Sequence, residues 1–483
     1  MADVTDILDT RAAGGMIVRG GAIRAAGFAA GSALSVVAAA IVTRELGEAG
    51  YGRFITVISL IAVVGSLSEA GMTNLGVREY AIREGPERDR LMRNLLGLRL
   101  ALSVLSGVAA LCFAAASGYD EAMVAATAIA AAGIVVANLQ GAFSVPLSAR
   151  LALGRLTALE LVRQLAITLL TVALAIAGAG LVAFVGVAAL APLVALLLTL
   201  WWVRGQIPAL PAVDRETWRR LLKVTGPFAV AAAVGSLYVY VIVLVMSFTS
   251  TDEATGNFGA SFRVFIVVAS IAGLLVGSAS ALLARAARDD QERLAYALQR
   301  LFEVALIAGA AAAVTTVVGA GVAIDIIAGP DYEDAVEALR IQGGAILASF
   351  LIATWSYALI SLHRHAALLV CNTLALAVGV VLAVVLTPDS GASGGALATL
   401  AGEITLAVAY AIALMRGRRD LRPGLRVVPP VVIACAVALA AGLLLPLPEL
   451  VRALIAGSLV IAVTGAFGVI PAELRDLLPS RLR

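Results

Sequence analysis

The residues with the clearest chemical potential are charges set inside apolar runs. Arg24 shares a helical face with Gly20, Gly27 and Gly31, and Glu69 shares one with Gly65, Thr73 and Gly76. If their helices are antiparallel neighbours, the two lie at similar depth in the inner half of a membrane. A charge at the centre of a span costs roughly 2.5–3.5 kcal/mol. The pair therefore reads either as a structural ion pair or as a charged cavity wall facing an anionic substrate or a coupling ion. Arg263 aligns with Ile266, Ser270, Gly273 and Gly277, and Arg53 holds the comparable place in an earlier helix. Each either meets substrate or snorkels to the outer surface. Arg340 has the same readings, or pairs with Glu337. Glu403 lies near the middle of an Ala- and Gly-rich helix with no evident partner at i±3 or i±4. It reads as a proton- or cation-coupling acid, or as a bond to a neighbouring helix. Glu160 and Arg163, three apart, can pair with each other.

Several other chemistries are not expected. No Walker A sequence is present, so direct ATP hydrolysis is not expected. His363 and His365 are the only histidines and share one turn. They read as a solvated loop pair rather than a metal site, and they leave no histidine elsewhere for a Ser-His-Asp triad. Cys112, Cys371 and Cys435 fall in apolar runs and read as free buried thiols. No basic run is interleaved with aromatics, so nucleic acid is not an expected partner. The loops expected outside are too short to hold the acids of a membrane saccharide polymerase.

The elements that must position these charges are set by composition. Hydrophobic residues make up 61% of 483 positions and charged residues 14%. Mean hydropathy is +0.99. Soluble domains run at roughly 45–50% apolar and about 25% charged, so lipid is the solvent for most of this chain. Helical spans of about 20 residues fit near 15–43, 51–80, 92–117, 121–148, 155–178, 181–203, 225–248, 256–284, 298–328, 333–361, 366–387, 391–415, 427–446 and 450–471. The N-terminus begins with polar residues and does not read as a cleavable signal. With it placed in the cytoplasm, only Arg44, Arg53, Arg263, Arg340 and Arg452 fall outside, and every other basic residue falls inside. That is the asymmetry of the positive-inside rule, and it puts both termini in the cytoplasm. Segment 214–223 places Trp218, Leu221 and Leu222 on one face and Arg215, Arg219 and Lys223 on another, which reads as an interfacial amphipathic helix. Lying near mid-chain, it would join two halves. The connections at 47–54 and 252–263 are both short, external and Gly/aromatic-rich, a weak internal repeat. Two six-helix lobes starting on the same side would be parallel repeats with a site between them.

Four stretches carry a family resemblance. Thr43-Arg44-Glu45-Leu46-Gly47-Glu48-Ala49-Gly50-Tyr51-Gly52-Arg53-Phe54 resembles the first helical junction of bacterial polysaccharide flippases. Glu69-Ala70-Gly71-Met72 with Arg78-Glu79-Tyr80-Ala81, the run from Gly256 to Arg263, and the run from Ala328 to Ala335 with Leu339-Arg340-Ile341 are similar to later elements of that family. Met72, Tyr80 and Ala328 depart from its usual leucine, isoleucine and aromatic residue. The family lies in the superfamily of multidrug, oligosaccharidyl-lipid and polysaccharide exporters. The resemblance implies an all-α polytopic membrane protein of about 14 transmembrane helices. Two six-helix lobes would surround a central cavity, with two further C-terminal helices. In residues this is a lobe at 1–205, an amphipathic linker at 206–224, a second lobe at 225–420 and an appendix at 421–483. The expected function is a flippase, not an enzyme, for polyprenyl-diphosphate-linked oligosaccharide, working by alternating access in a bacterial cytoplasmic membrane. Arg24, Arg53 and Arg263 would contact the headgroup. Glu69 and Glu403 are the candidate coupling acids for a proton or sodium gradient, and no bound cofactor is expected. Membrane lipids and polysaccharide assembly enzymes are the other expected partners. A cation-coupled multidrug or metabolite exporter and a membrane saccharide polymerase are the alternatives.

Overall fold

The structure is a computed structural model. It describes residues 11–469 except 70, 209, 278–282, 284, 288–290 and 417, and it leaves aside the side chains of 11–26, 28, 29, 291 and 419. Hydrocarbon offers no partner for a peptide group, so a span must bond its backbone internally, and the described residues are overwhelmingly helical. The elements are α1 (Arg11–Glu69), α2 (Met72–Ile82), α3 (Gly85–Ala116), α4 (Glu121–Phe143), α5 (Val145–Ala149), α6 (Leu153–Ile176) and α7 (Leu181–Trp202). After these come α8 (Arg215–Thr249), α9 (Asp252–Gly277), α10 (Gln291–Val318), α11 (Ala320–Ile327), α12 (Glu333–Ser361), α13 (His365–Met415), α14 (Val428–Leu444) and α15 (Glu449–Ala466). Among the described residues, twelve helical stretches are long and apolar enough to cross a membrane. Two of them, α1 and α13, break at Gly47 (φ 65°) and Gly391 (φ 48°), so each holds two helices. Twelve stretches, two of them double, give the fourteen helices expected. Both breaks use the left-handed region that glycine enters without a Cβ penalty.

Local structure departs from the sequence reading at four places. The connections at 47–54 and 252–263 are helix ends rather than loops. Gly47 alone leaves helical geometry in the first, and α9 begins at Asp252 with the Thr251 hydroxyl accepting from the Ala254 N–H at 3.2 Å. The second span is not continuous, because it breaks between Glu69 and Met72 around Gly71 (φ 69°). Segment 215–223 is the start of the long helix α8. Part of its apolar face lies on protein, where Leu221 is buried with Met72, Tyr80 and Leu91 and Trp218 packs beside them, while Leu222 is exposed. Cys112 is exposed on α3, Cys435 half-buried and Cys371 buried.

The chain forms two compact units. Unit 1 is Met1–Leu46 with Thr56–Ser236, and unit 2 is Gly47–Ile55 with Leu237–Arg483. In unit 1, α3 packs on α4 and α4 on α7. The approach of α7 is close enough that a Cβ on Gly133 would sit 2.6 Å from the Ala188 carbonyl. Residues 210–214 are strapped across the start of α3. The Arg93 guanidinium donates to the Leu210 carbonyl, the Ala212 N–H to the Arg93 carbonyl, and the Asp214 N–H to the Asn94 side chain. Asp214 also accepts from the Thr217 hydroxyl and pairs with Arg90 at 3.0 Å. In unit 2, α12 packs on α9, α10 and α13. The last two helices are seated on α10 through small residues, Gly442 against Val318 and Gly457 against Thr315. Segment 47–55 crosses the start of α9 at reciprocal glycines. A Cβ on Gly52 would lie 1.9 Å from the Asp252 carbonyl oxygen, and one on Gly256 would lie 2.0 Å from that of Glu48.

Two predictions follow from this packing. Gly52→Val and Gly256→Val each force backbone apart, and overpacking costs about 1–3 kcal/mol or more. Each should lower the thermal midpoint of purified protein by several degrees, while Gly31→Val, which meets open space, should leave it within a degree or two. The hydrogen bond from Thr217, then the Arg90 contact, hold the Asp214 carboxyl below its ordinary value. A depressed carboxyl stabilises the strap above its unfolded pKa and loses that contribution as pH falls through the folded value. Proteolysis of the 206–214 segment should therefore accelerate below about pH 4, and Asp214→Asn should already show that acid-state sensitivity at neutral pH.

Candidate functional site

Each unit holds a polar cluster built on a carboxylate, and the two differ in charge. In unit 1 the cluster is built on the break in the second span. The Glu69 carboxylate accepts from the Gly71 N–H at 2.9 Å and the Thr73 N–H at 3.2 Å, supplying the acceptors that the start of α2 lacks. Arg99 of α3 reaches it from behind. One terminal nitrogen donates to Glu69 at 3.2 Å and to the Thr73 hydroxyl at 2.7 Å. The Arg99 side chain is 1% exposed and that of Glu69 42%, so the pair presents its carboxylate outward and hides its cation. The guanidinium fits because Gly141 lies against its other terminal nitrogen, where a Cβ would come within 3.2 Å. Among the described residues, that nitrogen and Nε have no hydrogen-bond partner. Beside it, Asn138 donates to the Ser68 and Ser103 hydroxyls, both at 2.7 Å, and Ser103 donates to the Arg99 carbonyl.

In unit 2 the cluster centres on Glu403 in the second half of α13. Its two oxygens accept from the Tyr238 hydroxyl of α8 and the Ser349 hydroxyl of α12, each at 2.6 Å. Glu403 is 8% exposed, and among the described residues it has no ion pair. It stands in the wall of a cavity of about 270 Å³ whose other lining includes Ile242, Phe262, Phe265 and Gly379. Gly402 lies beside the Tyr238 ring, 3.8 Å from where its Cβ would be. One negative group in an otherwise apolar cavity can hold a proton or a cation.

The residues marked from sequence are distributed as follows. The side chain of Arg24 is outside the described residues, and with it the expected pairing to Glu69; the partner the structure gives Glu69 is Arg99. Arg53 donates through Nε to Asp252 at 2.7 Å, both side chains near 40% exposed. Arg263 is half-buried on α9. Arg340 and Glu337 are both exposed, and among the described residues no ion pair joins them. Glu160 and Arg163 pair within α6. Sequence reasoning missed Arg99, Asn138, Tyr238 and Ser349. Arg99 is a charge inside the apolar run from Leu95 to Val104, a signal the sequence carries. The other three are polar residues that only tertiary packing brings to a charge.

The length, composition and order of the helices define a multi-pass α-helical membrane protein. Residues 17–282, more than half the chain, match the family described as polysaccharide biosynthesis protein, and the chain belongs to that family. No curated protein sequence matches it. Among solved structures it is similar to the lipid II flippase MurJ in an inward closed conformation, with TM-score 0.78 and 14% identity over 94% of this chain and 99% of that one. It is also similar to an inward-facing multidrug resistance MATE family transporter, with TM-score 0.65 and 14% identity over 81% and 94%. A MOP superfamily transporter from Pyrococcus furiosus, described as having a binding pocket of reverse polarity, gives 0.52 and 17% over 84% and 95%. At these identities the likeness is one of fold.

The unit 1 pair has an asymmetric energetic signature. Glu69→Ala strands a buried guanidinium, and breaking a buried pair costs about 3–5 kcal/mol. Arg99→Met leaves a half-exposed carboxylate still bonded to two peptide N–H groups. Thermal unfolding of purified variants should rank Glu69→Ala well below Arg99→Met. The double variant Glu69→Gln/Arg99→Met should recover most of the loss.

Proposed function

We propose that this chain is a flippase that moves polyprenyl-diphosphate-linked oligosaccharide from the inner to the outer leaflet of a bacterial cytoplasmic membrane, with both termini in the cytoplasm. The observation that carries the reading is membership of the polysaccharide biosynthesis family, and the likeness in fold to a lipid II flippase supports it. A charged saccharide headgroup cannot cross hydrocarbon unaided. Arginines can replace part of its hydration while the prenyl tail stays in lipid, and alternating access then carries it outward. Arg24, Arg53 and Arg263 are the headgroup contacts in this reading. Arg53 suits the role, because its pair with Asp252 is half-exposed and can be exchanged for contact with a diphosphate. No bond of the substrate is made or broken, so the chain is a carrier and not an enzyme, and it delivers to the enzymes that assemble the polymer. Glu403 and Glu69 are the coupling acids for a proton or sodium gradient. Glu403 is the better placed, since its oxygens meet only neutral hydroxyls, whereas Glu69 already has a built-in cation.

The test uses proteoliposomes loaded with a lipid-linked oligosaccharide, read by the headgroup that becomes accessible to a membrane-impermeant glycosidase. Arg24→Ala/Arg53→Ala/Arg263→Ala should lower the rate by an order of magnitude or more while inserting normally. Glu403→Gln should remove the response to an imposed gradient. Absence of transfer with several saccharides and both gradients would transfer the reading to export of a soluble substrate. Wild-type flipping indifferent to any gradient would remove the coupling roles alone.

A further inference from the structure

One end of unit 1, where α4, α5, α6 and α7 meet, combines unpaired cations with exposed apolar side chains. Phe143, Leu147 and Val203 are buried together there, with Ala152, Leu156 and Trp202 packed against them. Three arginines stand on this cluster. The Arg155 guanidinium lies over the Trp202 ring, 6.0 Å from its centroid. Arg150 and Arg204 are exposed, and among the described residues neither has a hydrogen-bond or ion-pair partner. The nearest acids in sequence, Glu160 and Asp214, are engaged elsewhere, Glu160 with Arg163 and Asp214 with Arg90 and Thr217. Leu151, in the turn between Arg150 and α6, is held at φ 52° with its side chain exposed, a conformation that costs a non-glycine residue roughly 1–2 kcal/mol. Trp201, Leu210 and Val213 are exposed at the same end of the chain's path, and Leu151, Leu210 and Val213 lie outside the apolar spans. Beside Trp201 a cavity of about 360 Å³ is lined by Phe143, Leu200, Trp201, Val203, Arg204 and Ile207.

Water gives no reason for this combination. A bilayer boundary does, because tryptophan and arginine settle at headgroup depth while leucine and valine enter the acyl region. We propose that this end of unit 1 binds an anionic phospholipid. Its phosphate is met by Arg204, within the field of Arg150 and Arg155, and one acyl chain lies in the cavity against Phe143 and Leu200. The walls of the cavity are apolar and its one charged lining group is a cation, so the complement is a group with one negative charge beside a hydrocarbon chain. The inference does not depend on what the protein transports.

The experiment uses full-length protein in mixed micelles, with phosphatidylglycerol or phosphatidylcholine carrying brominated acyl chains, read by quenching of tryptophan fluorescence. Trp201→Phe identifies the share of signal from the site. Each arginine near an anionic surface contributes roughly a fivefold preference. Brominated phosphatidylglycerol should therefore quench Trp201 at a mole fraction at least about fivefold below that of phosphatidylcholine. Arg150→Gln/Arg155→Gln/Arg204→Gln should abolish that preference, and Arg204→Lys should keep most of it. Arg219→Gln/Lys223→Gln, which removes exposed cations of α8, should leave it intact. Equal quenching by the two lipids, equal loss in both charge variants, or a preference that survives the triple variant would each overturn the site. Displacement of phosphatidylglycerol by a large deficit of polyprenyl diphosphate would overturn the phospholipid assignment and give the site to the transported lipid. Thermal unfolding of each variant verifies that it is folded, and if the triple variant is not, Arg204→Gln alone decides.

Discussion

A helix can break inside hydrocarbon only where another group takes over the hydrogen bonds the break sets free. The buried chemistry of this protein follows largely from that constraint. At the break in the second span, Glu69 accepts from Gly71 and Thr73. At the start of α11, the peptide N–H of Gly321 and that of Val322 are taken by Glu449, which comes from the first turn of α15. A carboxylate does this better than a hydroxyl, because its charge also meets the positive end of the helix dipole. It also brings a charge that must then be accommodated. Arg99 is the accommodation in unit 1, and Gly141 is the space that Arg99 needs. Three unremarkable residues are thus tied to one missing turn of helix.

Much of the architecture was open to reading from sequence, because hydropathy and chain length act locally. A run too apolar for water and long enough for a bilayer becomes a span whatever its neighbours are. Hence the helix count and even the tight Gly178–Gly180 turn between α6 and α7 agree with the structure. Pairing was not open in this way. Glu403 has no partner along its own helix, and its two hydroxyl donors come from α8 and α12, 165 and 54 residues away in sequence. The apolar face of 215–223 was visible, but a face covered by lipid and a face covered by Tyr80 and Leu91 have the same sequence pattern. The similar glycine- and aromatic-rich stretches at 47–54 and 252–263 were visible as a pair. That Gly52 and Gly256 are reciprocal contacts, each admitting the backbone of the other stretch, needed coordinates.

The two carboxylates answer different physical demands. A buried ion pair seldom adds stability over apolar residues of the same volume, so the Glu69–Arg99 pair is best understood through the break it supports. It is also incompletely bonded: among the described residues Nε and one terminal nitrogen of Arg99 have no acceptor, and buried donors without acceptors cost free energy. Glu403 is the reverse case. Both of its oxygens are bonded, and its α13 backbone is helical through the site, so it supports no break. Its donors are neutral, and a fully ionised carboxylate in an apolar cavity would carry an unbalanced charge that such a cavity tolerates poorly. In unit 1 the protein supplies the countercharge from its own chain. In unit 2, among the described residues, it supplies only neutral hydrogen-bond donors.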